Sequence, residues 1–305
     1  MKARFIPGLL AALLLLAAPA LAVETKQQAE APQAADKSAP AFQLQHVRNA
    51  TAKLKSGDAT FLIDPMLAAP GAYEGFANTY RGGMRNPFTP LPMPVEDLLA
   101  GVDAVILTHT HLDHWDPAAQ KAIPKDMPLF VQHEEDAKLV RGQGFRDVRI
   151  LKDGELFKGV RLERTATRHG SEAMYADPVL ARALGEVMGI VFTAPDGRKA
   201  WVVGDTVWFP GVDAALAAHR PDVIIMNAGG AAMAIPAFQD APEIIMNKDD
   251  VLRMVRAAPD AQVVAVHMDA INHMTVDRKD LARFTREHGI RDKVLIPFDG
   301  EVMDF

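Results

Sequence analysis

The chain has 305 residues, 49% of them hydrophobic, with no cysteine and a formal net charge of −6. The acidic balance argues against a nucleic-acid ligand, which needs a cationic surface. Without thiols there are no disulfide staples, cysteine nucleophiles or thiolate metal ligands, so stability must come from a hydrophobic core.

Residues 1–22 begin with Lys2 and Arg4, continue through an apolar run at 9–18 and end Ala20-Leu21-Ala22. This pattern predicts a secretory signal peptide cut after Ala22, and hence a periplasmic or secreted protein. The run is short for a membrane span, and Val23 rather than a cysteine follows the cut, so no stable membrane anchor is expected. Removing Lys2 and Arg4 takes the charge from −6 to −8, because residues 1–22 hold no acid. Residues 23–40 carry nothing bulky after Val23 and read as a flexible leader. The remaining chain, about 265 residues, shows no linker or repeat and predicts a single domain over 41–305.

Strands are expected at 42–53 and 59–63 around the turn Lys55-Ser56-Gly57-Asp58, the second stopping at Asp64-Pro65. Residues 67–94 form an irregular stretch rich in Gly, Pro and Asn, a length that is usually functional or mobile. Its aromatics Tyr73, Phe76 and Tyr80 read equally as local packing or as substrate contacts. A short helix at 95–99 and an apolar strand at 102–107 follow. Asp116-Pro117 is a helix start, with an acid at the N-cap and proline at the first helical position.

Next come a strand at 128–131, a helix at 134–142, a strand at 148–151 and a strand at 161–167 leading into Arg168-His169-Gly170. A helix is expected at 178–188, with Met174 and Tyr175 before it as a candidate substrate wall. Strands at 190–193 and 200–203 flank Ala194-Pro195-Asp196-Gly197, a strong hairpin signal, and end in Gly204-Asp205-Thr206. A buried strand at 223–226 precedes Asn227-Ala228-Gly229-Gly230, where the glycines either approach a pocket closely or form a tight turn. An amphipathic helix at 248–257, a buried strand at 263–266 ending in His267, and a last strand at 294–298 complete the order. Interleaved strands and helices predict an α/β layered domain. Several strands end in a ligand-type residue, which points to a site on one sheet edge.

The chemistry concentrates in His109-Thr110-His111-Leu112-Asp113-His114. Such side chains are costly to bury at a strand mouth unless something binds them. Imidazole nitrogen and carboxylate oxygen are what zinc and similar divalent ions accept. The run offers more ligands than one tetrahedral ion would take from so short a segment, which points to two metals, and two metals point to hydrolysis. The plainer readings are a surface histidine cluster, a loop histidine at 169 and an ordinary strand-end turn at Asp205. His267 competes with His273 as a ligand and is favoured because it ends a buried strand. His46, His133, His219 and His288 read as surface or packing residues.

The series His109, His111, Asp113, His114, His169, Asp205 and His267, with Asp64-Pro65 upstream, resembles the metallo-β-lactamase superfamily over nearly all of the chain after the leader. Residues 62–65, 90–98 and 102–114 look most like the branch of L-ascorbate-6-phosphate lactonase-like and N-acylphosphatidylethanolamine phospholipase D-like enzymes. The resemblance implies a four-layer αββα sandwich with a metal centre at one sheet edge. It assigns His109, His111 and His169 to one metal and Asp113, His114 and His267 to a second, with Asp205 bridging. Asp64 takes a supporting role, and Asp116 and Thr206 are candidates for orienting the ligands.

The expected protein is an exported binuclear hydrolase of a small molecule, using a metal-bound hydroxide. A lactone or other carboxylic ester is preferred as substrate, with a phosphodiester as the alternative. A non-catalytic metal- or ligand-binding protein is the reading from another class. Asp113, itself a ligand, and His273 are the candidate catalytic side chains. Zinc is the first choice of metal, and nitrogen and oxygen ligands suit manganese and iron too. The sequence carries no signal of oligomeric state.

Overall fold

Strands whose residues alternate between two apolar environments build two seven-stranded sheets in the computed structural model, which describes residues 1–2 and 39–305. The chain divides into two units, Met1–Ala34 and Ala35–Phe305. The expected signal peptide and nearly all of the leader lie outside the described residues. The first sheet contains β1 (Gln43–Arg48), β2 (Thr51–Ser56), β3 (Ala59–Ile63), β4 (Ala104–Ile106), β5 (Leu129–Val131) and β6 (Val148–Ile150) in that order. The second contains β7 (Glu155–Phe157), β8 (Val160–Thr165), β9 (Gly189–Thr193), β10 (Lys199–Val202), β11 (Val223–Asn227), β12 (Gln262–Val266) and β13 (Val294–Leu295). β14 (Val302–Asp304) returns to pair antiparallel with β1.

The helices are α1 (Val95–Leu99), α2 (Pro117–Ala122), α3 (Glu134–Gly142), α4 (Glu172–Ala176), α5 (Pro178–Leu184), α6 (Pro210–His219), α7 (Lys248–Ala257) and α8 (Arg278–Glu287). Phe61 and Ile63 of β3 meet Phe192, Ile225 and Val264 between the sheets. Leu62 points the other way, as the strand period of two demands, and packs with Leu98, Ala119 and Val140 of α1, α2 and α3. On the far side Ile224 and Val263 pack with Val212, Met254 and Leu281 of α6, α7 and α8. Three apolar layers between four structural layers make the αββα sandwich. Burying a Leu, Ile or Phe contributes about 1.5–3 kcal/mol, so these layers supply what disulfides do not.

Local chemistry accounts for where the elements differ from the sequence expectation. The strand expected at 42–53 is a hairpin, turned at Asn49, whose φ of 60° suits an asparagine. The helix expected at 178–188 stops at Leu184 because Gly185 adopts φ 65°. α4, α6, α8, β7 and β14 had not been expected, and the strand expected at 294–298 shortens to β13. The helices at 134–142 and 248–257 stand as expected, and Asp116 caps α2 by accepting Ala119 N at 2.7 Å.

β3 to β6 are parallel neighbours, as are β10 to β13. The registers Ile63↔Ile106 and Asn227↔Val266 align their carboxyl ends, the edge where open α/β sheets bind ligands. Among the described residues no helix is long and apolar enough to cross a membrane.

Candidate metal centre

Asp64, His109, Asp205 and His267 each lie just beyond the carboxyl end of a strand (β3, β4, β10 and β12). Parallel pairing therefore gathers residues spread over about 200 positions onto one edge. His109, His111 and His169 form one triad of potential ligand atoms, and Asp113, His114 and His267 another; in each, the atoms lie within 4.8 Å of one another. A third such group, His109, His114 and Asp205, connects them. Asp205 Oδ2 is 3.3 Å from His114 Nε2 and 3.8 Å from His169 Nε2, between the triads. The seven residues singled out in the sequence converge.

Outer partners fix which ring nitrogen faces inward. Thr108 Oγ1 donates to Asp64 Oδ2 at 2.6 Å and so accepts from His109 Nδ1 at 3.0 Å. His111 Nε2 donates to Ala183 O at 3.0 Å, His114 Nδ1 to Asp64 Oδ2 at 2.9 Å and His169 Nδ1 to Ile244 O at 2.8 Å. Each ring thus keeps its other nitrogen for the centre, as ligating histidines generally do. His109 Nε2 is buried without any hydrogen-bond partner, a position that a cation would satisfy.

The electrostatics point the same way. Burial pulls the His114 pKa down, but Asp205, Asp113 and Asp64 outweigh it and hold the ring well above its ordinary value. Burial pushes the carboxyls of Asp113 and Asp205 up, yet His114 and His267 keep both far below the usual range. Burial drives His109 well down and His169 to about 4. Two ionised carboxylates face His109 and His169, whose rings resist protonation, and hold His114 as a cation, so the centre is a place for positive charge. His114 Nε2 and His267 Nε2 are only 3.0 Å apart, so a proton or a cation must lie between the two nitrogens. The donor set and the orphaned nitrogen fit a divalent ion of the zinc type.

Several further expectations are resolved by position. Asp64 supports His114 and the backbone N–H of Thr108 directly, the latter at 2.7 Å. Asp116 does not orient a ligand: beyond its cap it accepts from Ala68 N and Tyr73 OH, pinning the irregular stretch. Thr206 accepts from Arg168 N at 2.8 Å and so steadies the backbone beside His169. Tyr175 OH accepts from His169 N and donates to Gly185 O, while Met174 is core. A Cβ on Gly229 would come 2.1 Å from His267 O, so this glycine permits close approach; Gly230, at φ 60°, makes the turn. His273 lies outside the ligand triads and on a pocket wall.

Thr108 and Asn227 escaped the sequence reading. Asn227 Nδ2 donates to Asp205 Oδ1 at 2.6 Å, and its place at a strand end was the available signal. Thr108 had only its adjacency to His109.

A cavity of about 200 Å³ opens over the triads, lined on its apolar side by Phe76, Leu180, Leu184, Met233 and Ile244. On the His111 side the centre also borders a groove of about 910 Å³ with Glu134, Glu135 and Glu186 on its walls. A groove of about 580 Å³ beside α6 and α7 shares no residue with the site.

Residues 59–268 match the family described as "Beta-lactamase superfamily domain". The chain belongs to the beta-lactamase superfamily. Within it, the chain is 39% identical over 262 residues to UPF0173 protein YddR of Bacillus subtilis (strain 168), covering 86% of this chain and 99% of that protein. It is 46% identical, at a TM-score of 0.83, to the crystal structure of a possible metal-dependent hydrolase from Veillonella parvula DSM 2008, over 86% of this chain and 99% of that one. It is 48% identical, at a TM-score of 0.82, to isothiocyanate hydrolase from Delia radicum gut bacteria, with the same coverage of 86% and 99%. This superfamily member is a metal-dependent hydrolase.

Proposed function

We propose that the protein is an exported two-metal hydrolase of a small uncharged electrophile, with an isothiocyanate as the first substrate class. The cavity over the triads carries this reading. Its volume of about 200 Å³ is below the ~300–1,000 Å³ of pockets for drug-sized ligands. Its organic side is apolar, and no Lys or Arg lines it to neutralise a phosphate. The similarity to an isothiocyanate hydrolase supports the same class. A neutral carbon electrophile is shared with the lactone or carboxylic ester favoured by the sequence motifs; the phosphodiester reading finds no cationic partner in the cavity.

His109, His111 and His169 would hold one ion, Asp113, His114 and His267 the other, and Asp205 both. Bound there, divalent ions supply an acidified water and a positive charge facing the developing anion. The chain's own groups orient and exclude. Asp205 is fixed by Asn227, and Asp113 presents an ionised carboxylate to the cavity as a hydrogen-bond acceptor. The apolar wall holds the organic group and keeps bulk water away. An isothiocyanate takes up one water: a C–O bond forms, the C–N bond breaks, and both water protons end on nitrogen. The products are an amine and carbonyl sulfide.

The test is turnover by metal-loaded protein of allyl and benzyl isothiocyanate, small lactones, nitrophenyl esters and a bis(nitrophenyl) phosphate. Amine and carbonyl sulfide are expected, and His109→Ala should lose both metal and turnover. Hydrolysis of lactones alone would move the assignment to an ester substrate, and bound metal without any turnover would leave a binding protein. Export is checked by sequencing the N-terminus of the secreted chain, expected at Val23.

A further inference from the structure

We infer that Asn272 is a positioning residue that holds residues 76–86 in place as the size filter of the substrate cavity. This rests on reading the cavity over the triads as the substrate pocket. Its wall on one side comes from Phe76, Ala77 and Thr79, within a stretch that has neither helix nor strand from 64 to 94. Something other than a regular ladder must fix that wall.

Asn272 does so with its whole hydrogen-bonding capacity. Its Oδ1 accepts from Phe76 N at 2.9 Å and from Asn86 Nδ2 at 2.8 Å. Its Nδ2 donates to Thr79 Oγ1 and to Tyr80 O, both at 2.9 Å. Its backbone N–H donates to Asn86 Oδ1 at 2.9 Å. A side-chain amide offers two donors and two acceptor lone pairs, and all four are used on one loop. The residue is fully buried, so water does not compete for these bonds.

The next residue joins the pin to the pocket. His273 meets Phe76 edge to face, with ring centroids 4.8 Å apart and planes at 84°, and both rings line the cavity. The segment that carries His267 at its start therefore also sets how far the Phe76 ring reaches toward the substrate's organic group. The loop has little freedom to adjust by itself, since a Cβ on Gly75 would come 2.2 Å from Met84 O. An aspartate at 272 would keep both acceptors and lose both donors. That change should release Thr79 and Tyr80 without altering side-chain shape.

The experiment uses metal-loaded protein and two hydroxamic acids that differ only in bulk, acetohydroxamic and naphthylacetohydroxamic acid, with hydrogen exchange across 73–86 read in parallel. Wild type should discriminate against the bulky probe. Asn272→Asp should speed exchange in 73–86 and cut that discrimination by about tenfold, a size effect typical of an apolar pocket. Phe76→Ala should cut discrimination without speeding exchange. Thr79→Val, which removes the Asn272 Nδ2 bond together with the Thr79 Oγ1 bond to Phe76 O, should also do both and serves if Asn272→Asp does not fold. Faster exchange with unchanged discrimination would make the pin merely structural and overturn the inference, as would unchanged exchange. Because hydroxamates probe the pocket without turnover, loss of isothiocyanate activity in wild type would sink the proposed substrate and leave this result standing.

Discussion

Asp64 Oδ2 accepts from Nδ1 of His114 at 2.9 Å, and this contact leaves the ring's other nitrogen facing Asp205, Asp113 and His267. The same oxygen accepts from Thr108 Oγ1, which holds His109. One carboxylate thus orients a histidine of each triad. Asp64→Asn can present an N–H where an acceptor is needed, and metal affinity is expected to fall ~10–100-fold. Metal content after equilibrium dialysis measures it; wild-type affinity in the variant would refute the role.

Asp116 lies close in sequence to the ligand run but does different work. Asp116→Ala removes the acceptor for Ala119 N, Ala68 N and Tyr73 OH. Loss of the cap together with buried donors left unpaired should destabilise the fold by about 2 kcal/mol. Urea unfolding at fixed metal load reads this, and metal affinity should stay within about threefold of wild type, in contrast to Asp64→Asn.

Metal removal has a signature in stability. The ligand atoms of the centre are brought together only in the folded chain, so an ion stabilises by mass action, about 4 kcal/mol at a thousand times its Kd. Chelation should lower the melting midpoint, and zinc, manganese or iron added back should restore it. An unchanged midpoint after complete stripping would contradict a buried centre.

The metal-free protein should weaken as pH falls. Burial holds His169 and His273 at about 4, below the ordinary 6.5, and lowers His109 and His111 as well. Between about 6.5 and 4 the unfolded chain binds protons that the folded chain refuses, so stability drops across that window. His114, raised well above 6.5 by its carboxylates against the effect of burial, works in the opposite sense: its contribution is full below 6.5 and fades at higher pH. His114 titrates above 6.5 and adds no slope between 6.5 and 4, so the lowered histidines set the sign there. Denaturant midpoints of stripped protein at pH 7.0 and 5.0 test the sign, and His273→Phe should flatten the slope.

The ligand run, the later His169, Asp205 and His267 and most of the strands were legible because they rest on local signals, which gave an α/β layered domain; the four-layer sandwich followed only from the resemblance to the metallo-β-lactamase superfamily. Strand-end residues of ligand type and apolar runs need no tertiary knowledge to be seen. α8 was missed because its charged face dominates its composition, and β14 because three residues at a chain end acquire meaning only by pairing with β1. Asp116 shows the opposite error, a side chain assigned by proximity in sequence whose real partners are Ala68 and Tyr73.

By itself the sequence determined the donors: which imidazoles and carboxylates exist, and that a strand end presents each major group. Tertiary structure decided which nitrogen of His111, His114 and His169 faces inward, since that depends on Ala183, Asp64 and Ile244, far along the chain from their partners. It also decided the size and polarity of the cavity, because Phe76 and Ile244 meet over the centre only after Asn272 has fixed the intervening loop. Donor identity is a property of single residues, whereas orientation and volume belong to contacts between distant ones.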